Sequence, residues 1–282
     1  MIKIIAQGRL GNHLFQFAVA KHLAMKHDTE VVFLIPRKKS SQVMMRLLAE
    51  FNLTGVKFSA RFHDESQKRP SLYWSDFETK LFKEKQWAFD SEALEVRDEV
   101  FLEGFFQSEK YFKDIEPTIR QELSFNKPLG AELGNIYREK IQTTESVSVH
   151  IRRGDYLESE LHHVCGIDYF KRSIEYIKSK INHPQFFFFS DDISWCIENF
   201  SHEDATFVDI EGADDNPVID LQLMSLCQHN IISNSSFSWW AAWLNEHQEK
   251  IVVSPNRWFN HENLSAQGMK DTALNEWVKI PA

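Results

Sequence analysis

Residues 146–254 alternate short apolar runs with longer segments of helical periodicity, and this alternation limits the fold more than any other feature of the sequence. The predicted strands and helices follow one another at 147–151, 167–180, 185–190, 193–200, 206–209, 220–227, 230–233, 237–245 and 251–254. Strands and helices that alternate with short connections form a parallel sheet covered by helices on both faces. We therefore expect an α/β fold in this half.

Polar residues follow each of the first strands of that predicted sheet. They lie at 152–156, 190–192, 209–211 and 233–238. In parallel sheets, ligands bind beyond the carboxyl ends of the strands. These four segments are therefore the predicted positions of a binding site.

The N-terminal half opens as a strand–helix–strand unit, with a strand at 2–6, a helix at 12–26 and a second strand at 31–35. Asn12 is of the residue type that caps a helix, and we expect it to cap this one. The pattern from there to residue 140 is less regular and predicts only a mixed α/β structure. The apolar pattern thins between 126 and 145, which puts the predicted boundary between domains 1–140 and 141–282.

Composition and charge restrict the class of protein. The 282 residues are 43% hydrophobic and 26% charged, which is typical of a globular chain, and the net charge of −9 argues against a nucleic-acid partner. The first residues do not resemble an export signal, so we expect a cytoplasmic protein, at most peripheral to the inner face of a membrane. Cys165, Cys196 and Cys227 are widely spaced and are expected to be free thiols.

The segment VSVHIRRGDY (147–156) carries the strongest local signal. Adjacent arginines at a strand end point to opposite sides. One of Arg152 and Arg153 is expected to bind phosphate or carboxylate with its planar fork, while the other pairs with Asp155 or another acid. The alternative is a pair of surface arginines in salt bridges.

The segment IISNSSFSWWAAWL (231–244) predicts a strand followed by a helix with Ser235 or Ser236 at its N-terminus. Hydroxyls and free N–H groups there favour a bound phosphate. The alternative is a serine that only caps the helix. Trp239, Trp240 and Trp243 have the spacing of a buried helix face and are expected to pack in the core.

A third segment, GRLGNH (8–13), forms a tight turn before a helix but lacks the third glycine of a dinucleotide fingerprint. Together with 150–156, 186–192 and 229–245, its longer form GRLGNHLFQFAVA (8–20) resembles the motifs of the α-1,2-fucosyltransferase family, which includes bacterial enzymes that modify lipopolysaccharide. The resemblance covers nearly the whole chain. It implies two Rossmann-like domains in a GT-B-like glycosyltransferase, with an acceptor-side domain at 1–140 and GDP-fucose bound by 141–282.

The resemblance also implies a set of site residues. By similarity with α-1,6 relatives, His150 and Asp220 contact guanine or its ribose, Arg152 binds the diphosphate with Arg153 beside it, and Ser235 or Ser236 binds a phosphate. Phe237 stands where those relatives have a polar residue. Asn12 positions donor or acceptor by similarity with protein O-fucosyltransferases.

The implied reaction is inverting transfer of L-fucose to the 2-hydroxyl of a terminal β-galactose, as in an O-antigen repeat unit. No cofactor or metal is expected, because the chain lacks the D-x-D pair that holds a metal in many glycosyltransferases. The acidic pairs at 191–192 and 214–215 are of a type that can chelate an ion, but helix capping and solvated loop carboxylates are favoured there. Arg152 then stabilises the leaving diphosphate. The candidates for the base that takes the acceptor proton are Asp155, Glu158, Glu160 and His13, of which Asp155 and Glu160 are preferred.

Four other functions compete with this one. The chain can be a non-catalytic sugar-nucleotide or glycan-binding module, or a fucosyltransferase of another linkage. A dehydrogenase is disfavoured because the glycine fingerprint is incomplete. The tripeptide Arg-Gly-Asp at 153–155 matches an adhesion motif, but three residues recur by chance.

Overall fold

The computed structural model describes residues 1–35, 48–59, 80–126, 132–201, 204–210 and 216–282. The chain divides into two compact units, Met1–Asn126 and Lys127–Ala282. This division lies 14 residues before the predicted boundary at 140/141, because the helix Glu132–Gln142 belongs to the second unit. Lys140 and Tyr137 of that helix bond to Thr206 and to the carbonyl of Phe207 in the second unit.

Unit 1 is built on a five-stranded sheet in the order β3-β2-β1-β5-β4, in which all pairs are parallel. Its strands are β1 (Ile2–Ile5), β2 (Val31–Leu34), β3 (Val56–Ser59), β4 (Leu81–Lys83) and β5 (Phe101–Glu103). The helices of this unit are α1 (Leu10–Lys26) and α2 (Glu116–Glu122), with 3₁₀ turns at Ser91–Leu94, Glu109–Tyr111 and Lys113–Ile115.

Helix α1 is the central helix of unit 1, and most of its side chains are buried. It packs on β1 and β2, and Leu14, Phe15 and Phe17 are fully buried. A helix that is apolar on nearly all sides is stable only inside a core. The N-cap of α1 is Arg9, and Asn12 lies within the first turn, so the prediction that Asn12 caps the helix is wrong.

Unit 2 is built on a six-stranded parallel sheet in the order β11-β10-β9-β6-β7-β8. Its strands are β6 (Ser146–Ile151), β7 (Gln185–Ser190), β8 (Ala205–Phe207), β9 (His229–Ile231), β10 (Val252–Pro255) and β11 (Val278–Ile280). The helices are α3 (Glu132–Gln142), α4 (Gly154–Leu157), α5 (Ile167–Lys178), α6 (Ile193–Phe200), α7 (Val218–Leu226), α8 (Ser236–Leu244) and α9 (Glu262–Asp271). Read from β6 outward on both sides, this is the strand order of dinucleotide-binding folds.

The core of unit 2 lies against the central strands β6 and β7. Val147, Val149, Phe186 and Phe188 are completely buried and belong to one apolar cluster. Each fully buried side chain of this size contributes about 1.5–3 kcal/mol. The continuous apolar runs of these strands therefore reflect a sheet covered on both faces.

Buried amides join β6, β9 and α8 on the sheet. Asn230 Nδ2 donates to Ser148 Oγ at 2.7 Å, and Asn245 Nδ2 donates to Asn230 Oδ1 at 2.8 Å. Buried polar groups are tolerated when they are paired in this way. The network fixes the register of β9 beside β6, which sets the geometry of the residues that follow both strands.

The predicted strands and helices of 146–254 are confirmed, with bounds within a few residues of those expected. Trp239, Trp240 and Trp243 are buried, as predicted, and the three cysteines are free. The sequence pattern missed the short strands β3 to β5 and the C-terminal elements α9 and β11. Among the described residues, no helix is long and apolar enough to cross a bilayer.

Candidate active site

His150 is the last-but-one residue of β6 and lies at the point where the strand order of unit 2 reverses. Its ring nitrogen Nδ1 lies 3.0 Å from the hydroxyl of Ser233, which follows β9. Burial, and secondarily the charge of Arg152, lowers the pKa of His150 to about 3. The imidazole is therefore neutral near pH 7 and suits hydrogen bonding to an uncharged group such as a base or a ribose hydroxyl.

Arg152 follows β6 and is held between two carboxylates. Its Nη1 lies 2.8 Å from Asp191 Oδ2, its Nη2 donates to Asp155, and its guanidinium lies 5.7 Å from the ring centre of Tyr156. The side chain keeps 19% of its surface exposed. Both terminal nitrogens are thus oriented, which prepares a planar fork for a bidentate anion such as a diphosphate.

Arg153 points to different partners from those of Arg152. Its Nε donates to Asp192 Oδ2 at 2.9 Å, and its guanidinium lies 4.0 Å from the ring centre of Trp195. Asp192 also caps α6 by accepting from the backbone N–H of Trp195. These contacts give Arg153 a structural role at the end of β7.

Asp191 ties the loop after β6 to the end of β7. Besides its ion pair with Arg152, its Oδ1 accepts from the backbone N–H of Arg153 at 2.8 Å. A Cβ on Gly154 would lie 2.6 Å from Asp191 Oδ2, so any larger residue there would displace the Asp191 carboxylate from its present position. The segment Arg-Gly-Asp therefore serves a packing requirement at this sheet edge.

The segment 233–237 brings a helix N-terminus to the same edge. Ser235 is the N-cap of α8, and its hydroxyl accepts from the N–H of Phe237 at 3.3 Å. Ser236 is the first helical residue and is partly exposed, as is Phe237, whose ring lies 5.5 Å from that of His150. The helix start carries a partial positive charge that favours a bound anion.

The preceding residue, Asn234, is buried and anchors this turn. Its Nδ2 donates to the carbonyls of His162 and Trp258 at 3.0 and 2.9 Å. Its role as an anchor could not be predicted from local sequence, because its partners lie 72 residues before it and 24 residues after it. It fixes the hydroxyl segment against the loop that follows α4.

Two further predicted site residues lie on other segments of unit 2. Asp220 lies in the first turn of α7 and is partly exposed. Glu160 is exposed in the loop after α4, where its backbone carbonyl accepts from Asn260 Nδ2 at 3.2 Å. The structure thus groups His150, Arg152 and Asp155 with the serines after β9 at one sheet edge, and it puts Asp220 and Glu160 on neighbouring segments of unit 2.

In unit 1, the turn after β1 holds Asn12 in a fixed orientation. Gly8 has φ +78°, and a Cβ there would lie 2.1 Å from Asn12 Nδ2. Asn12 Oδ1 accepts from Gln107 Nε2 at 2.8 Å. His13 beside it is buried, and burial lowers its pKa to about 4. Such an imidazole is a weak base.

The described residues contain no group of three or more histidine, cysteine or acidic side chains placed to hold a metal ion. Asp192 is a helix cap, as the sequence predicted. Asp214 and Asp215, also considered as ligands, lie outside the described residues.

Residues 1–281 match the sequence model of glycosyl transferase family 11. The chain belongs to this family. It is similar to an alpha-1,2-colitosyltransferase of Escherichia coli, 40% identical over 187 residues, and to the O-antigen biosynthesis glycosyltransferase WbnK of the same organism, 34% identical over 195 residues. These alignments cover 63% and 66% of the chain and 61% and 63% of the relatives, so the chain spans about three fifths of their length. The galactoside alpha-(1,2)-fucosyltransferase 2 of Bos taurus is 26% identical over 292 residues, which cover 100% of the chain and 79% of the relative.

Solved structures share the fold of this glycosyltransferase. The NodZ alpha-1,6-fucosyltransferase soaked with GDP-fucose superimposes with a TM-score of 0.52 at 14% sequence identity. The matched region covers 85% of this chain and 91% of the NodZ chain. An Arabidopsis thaliana FUT1 mutant in complex with GDP has a TM-score of 0.51 at 10% identity, and the match covers 89% of this chain and 69% of the FUT1 chain. At such low identity the likeness shows the fold alone. The two parallel-sheet α/β domains are those of a GT-B glycosyltransferase, as expected from the sequence.

The residues that sequence reasoning missed in this glycosyltransferase are the partners of the predicted ones. Asp191 and Ser233 bond directly to Arg152 and His150, and Gln107 bonds to Asn12. A signal existed for Asp191 and Ser233, because both follow strands of the predicted sheet. None existed for Gln107, because it follows a strand of only three residues.

Proposed function

We propose that this glycosyltransferase transfers L-fucose from GDP-fucose to the 2-hydroxyl of a terminal β-galactose, with inversion and without a metal. The observation that carries the proposal is the group formed by His150, Arg152 and the Ser233–Ser236 turn at the strand-order reversal of unit 2. A neutral imidazole, an oriented guanidinium and a helix N-terminus at one sheet edge suit a nucleoside diphosphate. The α-1,2 linkage and the galactoside acceptor are supported by the names of the family relatives.

In the proposed reaction, the acceptor hydroxyl attacks the anomeric carbon of fucose while the bond to GDP breaks. The sugar passes through an oxocarbenium-like state, and negative charge grows on the leaving diphosphate. Arg152 stabilises that charge together with the N–H groups of α8. To bind the diphosphate, the guanidinium exchanges part of its pairing with Asp155 and Asp191 for the phosphate oxygens.

We propose Asp155 or Glu160 as the base that accepts the proton of the acceptor hydroxyl. The Asp155 carboxylate is exposed and engaged with Arg152, so it becomes available when the diphosphate takes over the guanidinium. Glu160 is exposed, and among the described residues no ion pair involves its carboxylate. Asp155→Asn and Glu160→Gln separate the two: the base variant lowers kcat with acceptor by about a hundredfold or more. A separate GDP titration reports the change in donor binding that follows from loss of the Asp155–Arg152 pair. Equal, near-wild-type kcat in both variants would contradict a base at either position.

A second donor is favoured by the 40% identity to the colitosyltransferase. Both donor sugars would use the same nucleotide site, so the His150–Arg152 group does not distinguish them. The discriminating experiment compares turnover of GDP-fucose, the corresponding activated colitose and GDP-mannose, each with and without lactose and in excess EDTA.

The expected result is GDP release together with a fucosylated lactose product in EDTA. Preference for the colitose donor with lactose would mean that the donor sugar is colitose instead of fucose. Loss of activity in EDTA that added Mg²⁺ or Mn²⁺ restores would refute metal independence. Tight GDP-fucose binding without product, over a panel of β-galactosides, would contradict the proposed transfer and favour a binding module.

A further inference from the structure

The sheet of unit 1 has its own reversal of strand order, between β1 and β5. The segments that follow these two strands are joined by side chains of α1. Gln107 Nε2 donates to Asn12 Oδ1 at 2.8 Å, and Gln16 Nε2 donates to the carbonyl of Gly104 at 2.8 Å. Ligands of parallel sheets bind at such reversals, beyond the carboxyl ends of the strands.

The backbone of residues 104–107 is fixed from a second side by Glu84, which follows β4. Its carboxylate accepts from the N–H groups of Phe105 and Phe106 at 2.8 and 2.9 Å. Phe106 has φ +53°, which is unusual for a bulky residue, and its buried ring packs edge-on against Tyr111 at 5.4 Å. Strained backbone that is held from several sides is found at binding and catalytic sites.

Phe105 presents an aromatic surface from this fixed segment. Its ring lies parallel to that of Trp87, with 5.5 Å between centres and 6° between planes. Both rings are partly exposed, whereas the neighbouring ring of Phe106 is fully buried. The negative face of an aromatic ring attracts the weakly positive C–H groups on one side of a pyranose.

The polar groups at this edge suit a neutral ligand. The two side chains bonded to each other there are the amides of Asn12 and Gln107, and the side chain that holds the backbone of 105–106 is the carboxylate of Glu84. Amides bind hydroxyls as donors and acceptors. Both oxygens of the Glu84 carboxylate already accept backbone N–H groups, so this side chain holds the segment in place and the amides are the groups that meet a ligand.

We propose that Phe105 and Trp87, together with the Asn12–Gln107 pair, form the subsite for the terminal sugar of the acceptor, a neutral hexopyranoside. This inference rests on the proposed function, which supplies the acceptor. It assigns the acceptor sugar to the strand-order reversal of unit 1.

The test replaces the ring of Phe105 while its backbone anchors stay intact. We expect Phe105→Leu to raise the KM for lactose roughly tenfold, because the stacking surface is lost while apolar volume is kept. Phe105→Trp retains a ring and keeps the KM near the wild-type value. The KM for GDP-fucose and the slow hydrolysis of GDP-fucose in the absence of lactose are unchanged in both variants.

A matched control uses another exposed, stacked ring of the same unit. Phe58 on β3 is 38% exposed and lies 5.8 Å from the ring centre of Phe33 at an interplanar angle of 28°. Phe58→Leu leaves the KM for lactose unchanged. An unchanged lactose KM in Phe105→Leu, or an equal rise in Phe58→Leu, overturns the subsite.

Direct binding keeps this test separate from the test of the proposed function. If wild type fucosylates lactose and Phe105→Leu keeps the wild-type KM, the function stands and the subsite fails. If wild type makes no product, saturation-transfer NMR with lactose decides: binding by wild type that is lost in Phe105→Leu supports the subsite. Equal binding by both proteins, or no binding by wild type, overturns it.

Discussion

Arg152 and Arg153 are adjacent in sequence, yet the structure gives them different partners. Substitution of each by lysine is therefore expected to affect a different property: turnover for Arg152 and stability for Arg153. Arg152 directs Nη1 to Asp191 and Nη2 to Asp155, and a diphosphate would replace part of this pairing at the same planar fork. Lysine offers a single ammonium and cannot reproduce two parallel hydrogen bonds. Loss of such a donor to the developing charge costs about 2.7–4 kcal/mol, so Arg152→Lys lowers kcat by roughly 10²–10³-fold.

Arg153→Lys is expected to cost stability instead of turnover. Its ion pair with Asp192 joins side chains that are 22% and 37% exposed, and pairs of this kind are worth about 0.2–1 kcal/mol after screening by solvent. The stacking of its guanidinium on Trp195 adds about 0.5–1 kcal/mol. Lysine retains part of both contacts, so we expect a loss of about 1 kcal/mol in the free energy of unfolding and a kcat within a few-fold of wild type.

The two variants are compared by steady-state kinetics with GDP-fucose and lactose, by calorimetric GDP titration and by urea unfolding. The two substitutions are chemically identical and one residue apart, so each variant serves as the control for the other. If folded Arg153→Lys loses as much kcat as Arg152→Lys, Arg153 belongs to the donor site and the division of roles is wrong. Wild-type turnover in Arg152→Lys would remove Arg152 from the mechanism.

Two further predictions concern pH and the turn after β1. Burial holds the pKa of His150 at about 3, while an unfolded histidine titrates near 6.5. The unfolded state therefore binds more protons at acidic pH, and His150 alone lowers the free energy of unfolding by about 2 kcal/mol between pH 6.5 and 5. Urea titrations across this range should show a shallower pH dependence in His150→Asn, and an identical dependence would contradict the buried neutral imidazole. Gly8→Ala would place a Cβ 2.1 Å from Asn12 Nδ2 and is expected to lower kcat/KM for the acceptor more than tenfold. The control is Gly55→Ala, at φ +64° with no heavy atom within 4 Å, which only destabilises the fold. Equal kcat/KM in the two variants would refute a role for the Asn12 orientation.

Much of unit 2 was predictable because its strands are buried on both faces and are separated by helices with clear periodicity. The continuous apolar run of β7 and the four polar segments after the strands predicted the parallel sheet and its functional edge. The strands β3 to β5 of unit 1 are three or four residues long. Length alone does not explain why they were missed, because β8 and β9 are as short and were predicted. β3 and β4 are edge strands in which no residue is buried, so no continuous apolar run marks them.

The pairing of side chains across the site was the part that sequence reasoning could not supply. Gln107 reaches Asn12 across 95 positions of the chain, and the left-handed backbone of Phe106 has no residue-type signal, because bulky residues rarely adopt it. The cap of α1 was misassigned for a related reason. Asn12 is a good capping residue, but its oxygen is bonded to Gln107, and the helix begins two residues earlier, at Leu10, after a turn made possible by Gly8.

The acidic pair after β7 explains why two adjacent arginines can divide their roles. In the sequence, Asp191 and Asp192 were considered as helix-capping, solvated or metal-binding carboxylates. In the structure each holds one arginine: Asp192 fixes Arg153 against Trp195, and Asp191 holds both the guanidinium of Arg152 and the N–H of Arg153. Because Asp191 binds the backbone N–H of Arg153 as well as the side chain of Arg152, the guanidinium is oriented before any ligand arrives. A diphosphate then exchanges carboxylate partners for phosphate oxygens at an ordered side chain, which lowers the entropic cost of binding.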